Sequence, residues 1–288
     1  FSGNNGTIDG QGWVWWEKLY AHSLNYSRPD LVELISSDNI VVSNLTFLNA
    51  PAWNIHPVYC RKILVQNITV YAPPDSPKTS GIVPDSSEYV CIERCNVSTG
   101  YDAVVLKSGW DEYGISYGKP AEKIRVQNVD LRSSSGSGFA VGSEMSGGIS
   151  NVTAKGLRIR DSFVGIQIKT GKGRGGYVRD VLIRGSAMEN VKVGIKATGK
   201  CAGHPDDLYD PDAIPSVEGI AFRDIVGTDV ATAGVFSGIS GSPFTSIRLD
   251  NVSLSANSSW TCDNVAGSSA DVVPEPCPAL LGGYGILA

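Results

Sequence analysis

A short strand phrase returns eight times along the chain: IVVSNL at Ile40, ILVQNI at Ile63, VCIERC at Val90, IRVQNV at Ile124, VTAKGL at Val152, VLIRGS at Val181, IAFRDI at Ile220 and IRLDNV at Ile247. Successive starts lie 23, 27, 34, 28, 29, 39 and 27 residues apart. Irregular spacing above a fixed floor is the pattern of a coil that keeps its strands and varies its loops. Strands this far apart do not form hairpins; they stack in parallel, one coil on the next. The phrases alternate with period two, so Ile40, Val42 and Asn44 share a face, read here as the inner one. The Asn or Asp near the end of five of the phrases (Asn44, Asn67, Asn128, Asp224, Asn251) then predicts a ladder of stacked amides at an inner corner. With 33 Gly and 15 Pro punctuating β-branched runs, no helices are expected. A leucine-rich repeat would require a fixed leucine register, which is absent. The expected fold is all-β: a single-stranded, right-handed parallel β-helix with about eight visible coils.

No linker divides residues 1–288, which read as one domain with a Cys- and Pro-rich tail from about residue 260. The stretch GNNGTIDGQG from Gly3 already reads as a coil, so further coils are expected before Phe1. No apolar run approaches the roughly 20 residues of a membrane span. A net charge of −5 argues against nucleic acid as partner, because phosphate binding needs a basic surface. Eight Asn-x-Ser/Thr sequons, at Asn5, Asn25, Asn44, Asn67, Asn96, Asn151, Asn251 and Asn257, point to a secreted, extracellular glycoprotein. Six cysteines fit that compartment, and Cys262 with Cys277 frames a segment that a disulfide would staple. Pairing among Cys60, Cys91 and Cys95 stays open. Neither a metal nor another cofactor is expected, as no C-x2-C pair or nearby His pair occurs. A monomer is expected.

An elongated solenoid with long loops on selected coils offers a groove suited to a polymer. The loops that place carboxylates beside glycines are residues 73–87, 98–114, 135–148 and 165–177. Together with GTIDGQG (6–12), WNIHPV (53–58), KSGWDEYG (107–114), GSEMSGG (142–148) and GRGGY (173–177), these segments resemble glycoside hydrolase family 28, the polygalacturonases, and its plant branch in particular. The resemblance runs from about residue 3 to 280. It implies a cell-wall protein whose partner is an acidic polysaccharide, pectin or galacturonan, hydrolysed with inversion between opposed carboxylates.

Mapped residue by residue, the resemblance implies a changed site. The family's Asn-Thr-Asp-Gly-x-Asp falls on Lys78, Thr79, Ser80, Gly81, Ile82 and Val83, so both aspartates are replaced. Gly-Asp-Asp falls on Gly100, Tyr101 and Asp102, putting Tyr101 at the general-acid position and leaving Asp102 as base or as a structural acceptor. Gly-His-Gly falls on Gly136, Ser137 and Gly138, and Arg-Ile-Lys on Gln167, Ile168 and Lys169. Asp85 and Glu144 are candidate replacement carboxylates, or turn-stabilising residues. Lys169, Lys172 and Arg174 read as a basic cluster for the sugar carboxylate, with Gln167, Ser80 and Ser137 beside it. Tyr101 and Tyr113 are candidates for stacking on sugar. Two functions are therefore expected: a pectic hydrolase of altered chemistry, or a pectin-binding wall protein without catalysis. A pectate lyase would need a calcium-binding carboxylate cluster and an arginine base, and the motifs do not point there.

Overall fold

The computed structural model describes residues 1–282. Its strands form one 14-stranded sheet, with Val32–Ile35 and Ile55–Val58 as a separate pair, and every pairing between named strands is parallel. The starts of the eight phrases stack in a single register column, Ile40–Ile63–Val90–Ile124–Val152–Val181–Ile220–Ile247. All but Ile40 are fully buried. Each coil sets an aliphatic side chain on the one below, and the column runs along the axis of a parallel β-helix.

Strand Ile149–Lys169 has 21 residues and Tyr177–Thr198 has 22, lengths that would span roughly 70 Å if straight. They bend at residues with positive φ: Asn151, Gly156 and Asp161 in the first, Asp180, Gly185 and Asn190 in the second. One corner is a continuous file of such residues, running Asn5, Asn44, Asn67, Arg94, Asn128, Gly156, Gly185, Asp224, Asn251 and Asp271.

This file corrects the inner amide ladder. Asn44, Asn67 and Asn251 are exposed, and the left-handed backbone turns their side chains outward. Period two does not survive a turn, and Asn and Asp occupy these corners because they tolerate that backbone better than other non-glycine residues. Stacking between coils does occur, on the outside: Asn251 Nδ2 donates to Asp224 Oδ1 at 2.8 Å, and Arg94 Nε to Asn67 Oδ1 at 3.0 Å.

Two short α-helices, Trp13–Tyr20 and Asp111–Tyr117, and a 3-10 turn at Pro278–Leu280 depart from the helix-free expectation. The second begins with Asp111 and Glu112 and stops at Gly118, whose φ of 60° closes the C-terminus. At 7 residues it is too short for helical periodicity to register. In the first, Trp16 Nε1 donates to Pro51 O at 3.1 Å, and Trp13 is exposed. Cys262 and Cys277 form the expected disulfide, whereas Cys60, Cys91, Cys95 and Cys201 are free. Residues 283–288 of the expected C-terminal tail lie outside the described residues.

Candidate active-site groove

Strand alternation builds the groove floor. Val104 and Leu106 join the interior core, so the side chains of Val105 and Lys107 point the other way. Val83, Val105 and Ala140 form a second, separate apolar cluster with Trp53 packed against it. Ala140 is in register with Gln167, and Gln167 with Lys196. The apolar strip therefore runs on into an amide and then a lysine.

The polar groups of the floor satisfy one another. Asp102 is 1% exposed; its Oδ1 accepts from the Ser137 backbone N–H at 2.9 Å and its Oδ2 from Lys169 Nζ at 2.5 Å. Burial works against the Lys169 ammonium, but Asp102 outweighs it and holds the pKa above the ordinary lysine value. Ser137 Oγ donates to Gln167 Oε1 at 2.6 Å. The residues at the resemblance's histidine and arginine positions are thus bonded to each other. Lys169 Nζ also stands 5.1 Å from the Tyr101 ring centroid. Lys169 lowers the Tyr101 pKa, yet burial and Asp102 together push it above the ordinary tyrosine value.

A second ion pair lies beside the first. Glu144 accepts from Lys107 Nζ, which also sits 5.1 Å from the Trp53 ring centroid. Burial raises the Glu144 carboxyl, but Lys107 prevails, with Lys169 adding to it, and the group is pulled down to about 2. Glu144 therefore stays ionised at neutral pH and has no proton to donate.

Other expected site residues are engaged in their own loops, Asp85 while standing in register beside Lys107. Asp85 Oδ1 accepts from Ser86 Oγ at 2.7 Å and from Gly109 N at 2.9 Å, which holds a turn. Ser80 is buried, and its carbonyl accepts from both the backbone and the side-chain amide of Asn54. The basic cluster does not exist as one unit. Arg174 is 1% exposed and bonds to Asp111, Ser143 O and Gly203 O, which corrects its assignment to the substrate: it clamps loops. Lys172 is exposed, and Lys169 faces Asp102. Tyr113 donates to Asp206 Oδ2 at 2.6 Å, pinning the 202–215 loop to the second helix.

Sequence reasoning missed Lys107, whose signal was its place two residues after Val105 on the outward face. It also missed the partner of His204, whose Nδ1 lies 2.6 Å from Asp111 Oδ2. Asp30, Glu33 and His56 each offer a ligand atom within 4.8 Å of the others, a cation-like spacing that the sequence did not reveal. Asp30 is already engaged there, with the Trp53 N–H at 3.1 Å and His56 Nδ1 at 2.8 Å.

Two carboxylate–lysine ion pairs set side by side on the outward face of a parallel β-helix mark the site. Residues 1–272 match the glycosyl hydrolases family 28, and the chain belongs to that family. It is 47% identical over 284 residues to a probable polygalacturonase of Vitis vinifera, covering 97% of this chain and 58% of the relative. An endo-polygalacturonase of Pectobacterium parmentieri is 28% identical over 276 residues, covering 90% of this chain and 64% of the relative. The chain thus spans less than two thirds of these relatives. Among solved structures, the exopolygalacturonase from Thermotoga maritima superposes with a TM-score of 0.78 at 28% identity, over 85% of this chain and 54% of that one. The polygalacturonase from Erwinia carotovora gives 0.76 at 25%, over 91% and 69%.

Proposed function

We propose that the protein is a pectin-directed member of this family whose groove takes a stretch of galacturonan chain, with hydrolysis between two opposed carboxylates given up. The state of the groove's acids carries the reading. A glycosidase of this kind needs one protonated carboxyl to meet the leaving oxygen and one free carboxylate to activate water. Asp102 is held at 2.5 Å by Lys169, and Glu144 is held by Lys107 near a pKa of about 2. At the acid position Tyr101 has been pushed away from the range a general acid wants. What is left for binding is the Tyr101 and Trp53 rings and the Gln167 amide, because Lys107 and Lys169 are held in ion pairs. Read as ten right-handed coils, the corner file from Asn5 to Asp271 gives a wall roughly 43 Å long, room for several sugar residues.

Asp102 favours a second reading, since it keeps a carboxylate on the groove floor and supports residual hydrolysis with itself as base. A reducing-end assay over a pectin panel separates the two, run beside calorimetric binding of the same polymers. The binding reading expects saturable binding and no product above blank. Product that disappears in Asp102→Asn would replace it with the hydrolase reading.

All eight sequon asparagines are exposed, which supports assignment to the secretory pathway and the cell wall. A mobility shift on enzymatic deglycosylation of the plant-expressed protein tests this. We read the described residues as one monomeric β-helix unit, a state that size-exclusion chromatography checks.

A further inference from the structure

The inference rests on the pectin reading above and concerns where the groove holds a charge of its polymer. Two lysines at the groove centre are engaged inside the protein, Lys169 by Asp102 and Lys107 by Glu144. Lys196 has no such partner. Its neighbours in sequence, Ile195 and Ala197, belong to the interior core, so its side chain faces out onto the groove sheet, where it is half-buried. Among the described residues it makes no ion pair and no hydrogen bond. Its register partners are Gln167 on one coil and Val235 on the next, neither of them an acid. Cys201, which feels its charge, is a thiol that burial pushes up and so keeps neutral.

Gln167 offers the matching donor. It is 9% exposed and faces out for the same reason, between the core residues Ile166 and Ile168. Parallel strands hold register partners roughly 4.8 Å apart, which sets Gln167 and Lys196 side by side. Ser137, on the preceding coil, donates to Gln167 Oε1 at 2.6 Å; the amide nitrogen diverges from that oxygen and takes no partner among the described residues. A nearly buried amide donor gains by meeting an acceptor, and an ammonium gains most from an acceptor that is charged. Together they form a two-point cradle for one carboxylate, an oxygen to each. The opposite end of the groove sheet is acidic, with Asp30 and Glu33 beside His56. Past Lys196, Lys172 is exposed and Lys200 lies 3.8 Å from Asp263, while the following loop carries Asp206, Asp207, Asp210 and Asp212. The pull on a polyanion at Lys196 is therefore that of a contact, not of a broad positive field.

We propose that Lys196 and Gln167 form a carboxylate subsite for one galacturonate unit of the polymer, one coil past Lys169. One carboxylate oxygen accepts from Lys196 Nζ and the other from Gln167 Nε2, and Lys196 supplies the charge that the paired lysines of the centre do not.

The test titrates the full chain calorimetrically with a fully de-esterified oligogalacturonate and with its carboxyl-reduced counterpart, in which each carboxylate is a primary alcohol, at low and at high NaCl. The wild type binds the acid about tenfold more tightly, and added salt narrows the difference. Lys196→Met brings the two ligands to near-equal affinity, its binding of the alcohol showing that the groove is still folded, and Lys196→Arg restores the preference. Lys192→Met removes the same charge from an exposed site by the Asn190 corner of the same strand and leaves the preference in place. Because both groups hold one carboxylate, Gln167→Leu weakens binding of the acid severalfold less in the Lys196→Met background than in the wild type. Equal binding of acid and alcohol by the wild type, or a loss of preference in Lys192→Met as large as in Lys196→Met, overturns the subsite and leaves the pectin reading standing. Binding of neither ligand refutes that reading and the subsite with it.

Discussion

Neutralising Glu144 gives the sharpest measurement of how the groove is held. Its carboxyl drops from an ordinary 4.5 to about 2 beside Lys107, a shift that corresponds to roughly 3 kcal/mol of linkage at most. The side chain is 19% exposed and Lys107 7%, so solvent screens the pair only in part. The sign follows from the direction of the shift. A depressed carboxyl stabilises the fold above its unfolded value, and that contribution is lost as pH falls from about 4.5 toward 2. In Glu144→Gln the contribution is missing at every pH and the Lys107 charge is left unpaired, so the variant is less stable by about 3 kcal/mol at pH 6. Urea unfolding of both proteins at several pH values isolates this group, because every other titrating residue cancels in the difference. The gap between wild type and variant narrows steadily below pH 4.5. A gap that is equally wide at the acid end and at neutrality would refute the linkage and leave only a packing effect.

Three further outcomes follow from the fold. Ile124→Ala, within the buried register column, costs about 2–5 kcal/mol in urea unfolding. Reducing Cys262–Cys277, which closes a 15-residue separation, lowers stability by about 3 kcal/mol, seen as a lower thermal midpoint under reductant. In Gly142→Ala, at φ +86°, the new methyl group falls on the Lys169 carbonyl; the variant melts several degrees lower and loses pectin binding because the strand carrying Lys169 must move.

The stacking direction of the chain was legible because it is written in aliphatic residues at phrase starts. Ile63, Val90, Ile124 and Val152 mark the register column, and nothing but burial is needed to read them. The corners were harder. Asn44 and Asn67 continue the alternation on paper, yet their left-handed backbone reverses the direction in which the side chain points, and a period-two reading has no means of seeing that. At the groove, the resemblance located Tyr101, Asp102, Ser137, Gln167 and Lys169, and the structure brings them together. It could not say that Arg174 belongs to a loop clamp. That role depends on Asp111 and His204, brought to it by folding from 63 and 30 residues away.

The same alternation that makes the coil explains how the groove can change chemistry without loss of fold. Val104 and Leu106 face the core, while Val105 and Lys107 face out, so a replacement on the outward face leaves the aliphatic column untouched. Electrostatics still couples the outward residues, because the floor is nearly dry. Asp102 is tolerable there only with Lys169 and the Ser137 amide against it, and the Ser137 hydroxyl in turn orients Gln167. Changing Gln167 alone to arginine would add a second cation beside Lys169 and remove the acceptor from Ser137. That charge has no counter-ion on the floor, since Asp102 and Glu144 are both engaged. The neutral pair and the two ion pairs therefore stand or fall as one arrangement. On the binding reading proposed above, hydrolysis would need several simultaneous replacements, including a carboxyl at the Tyr101 position that stays protonated next to Asp102.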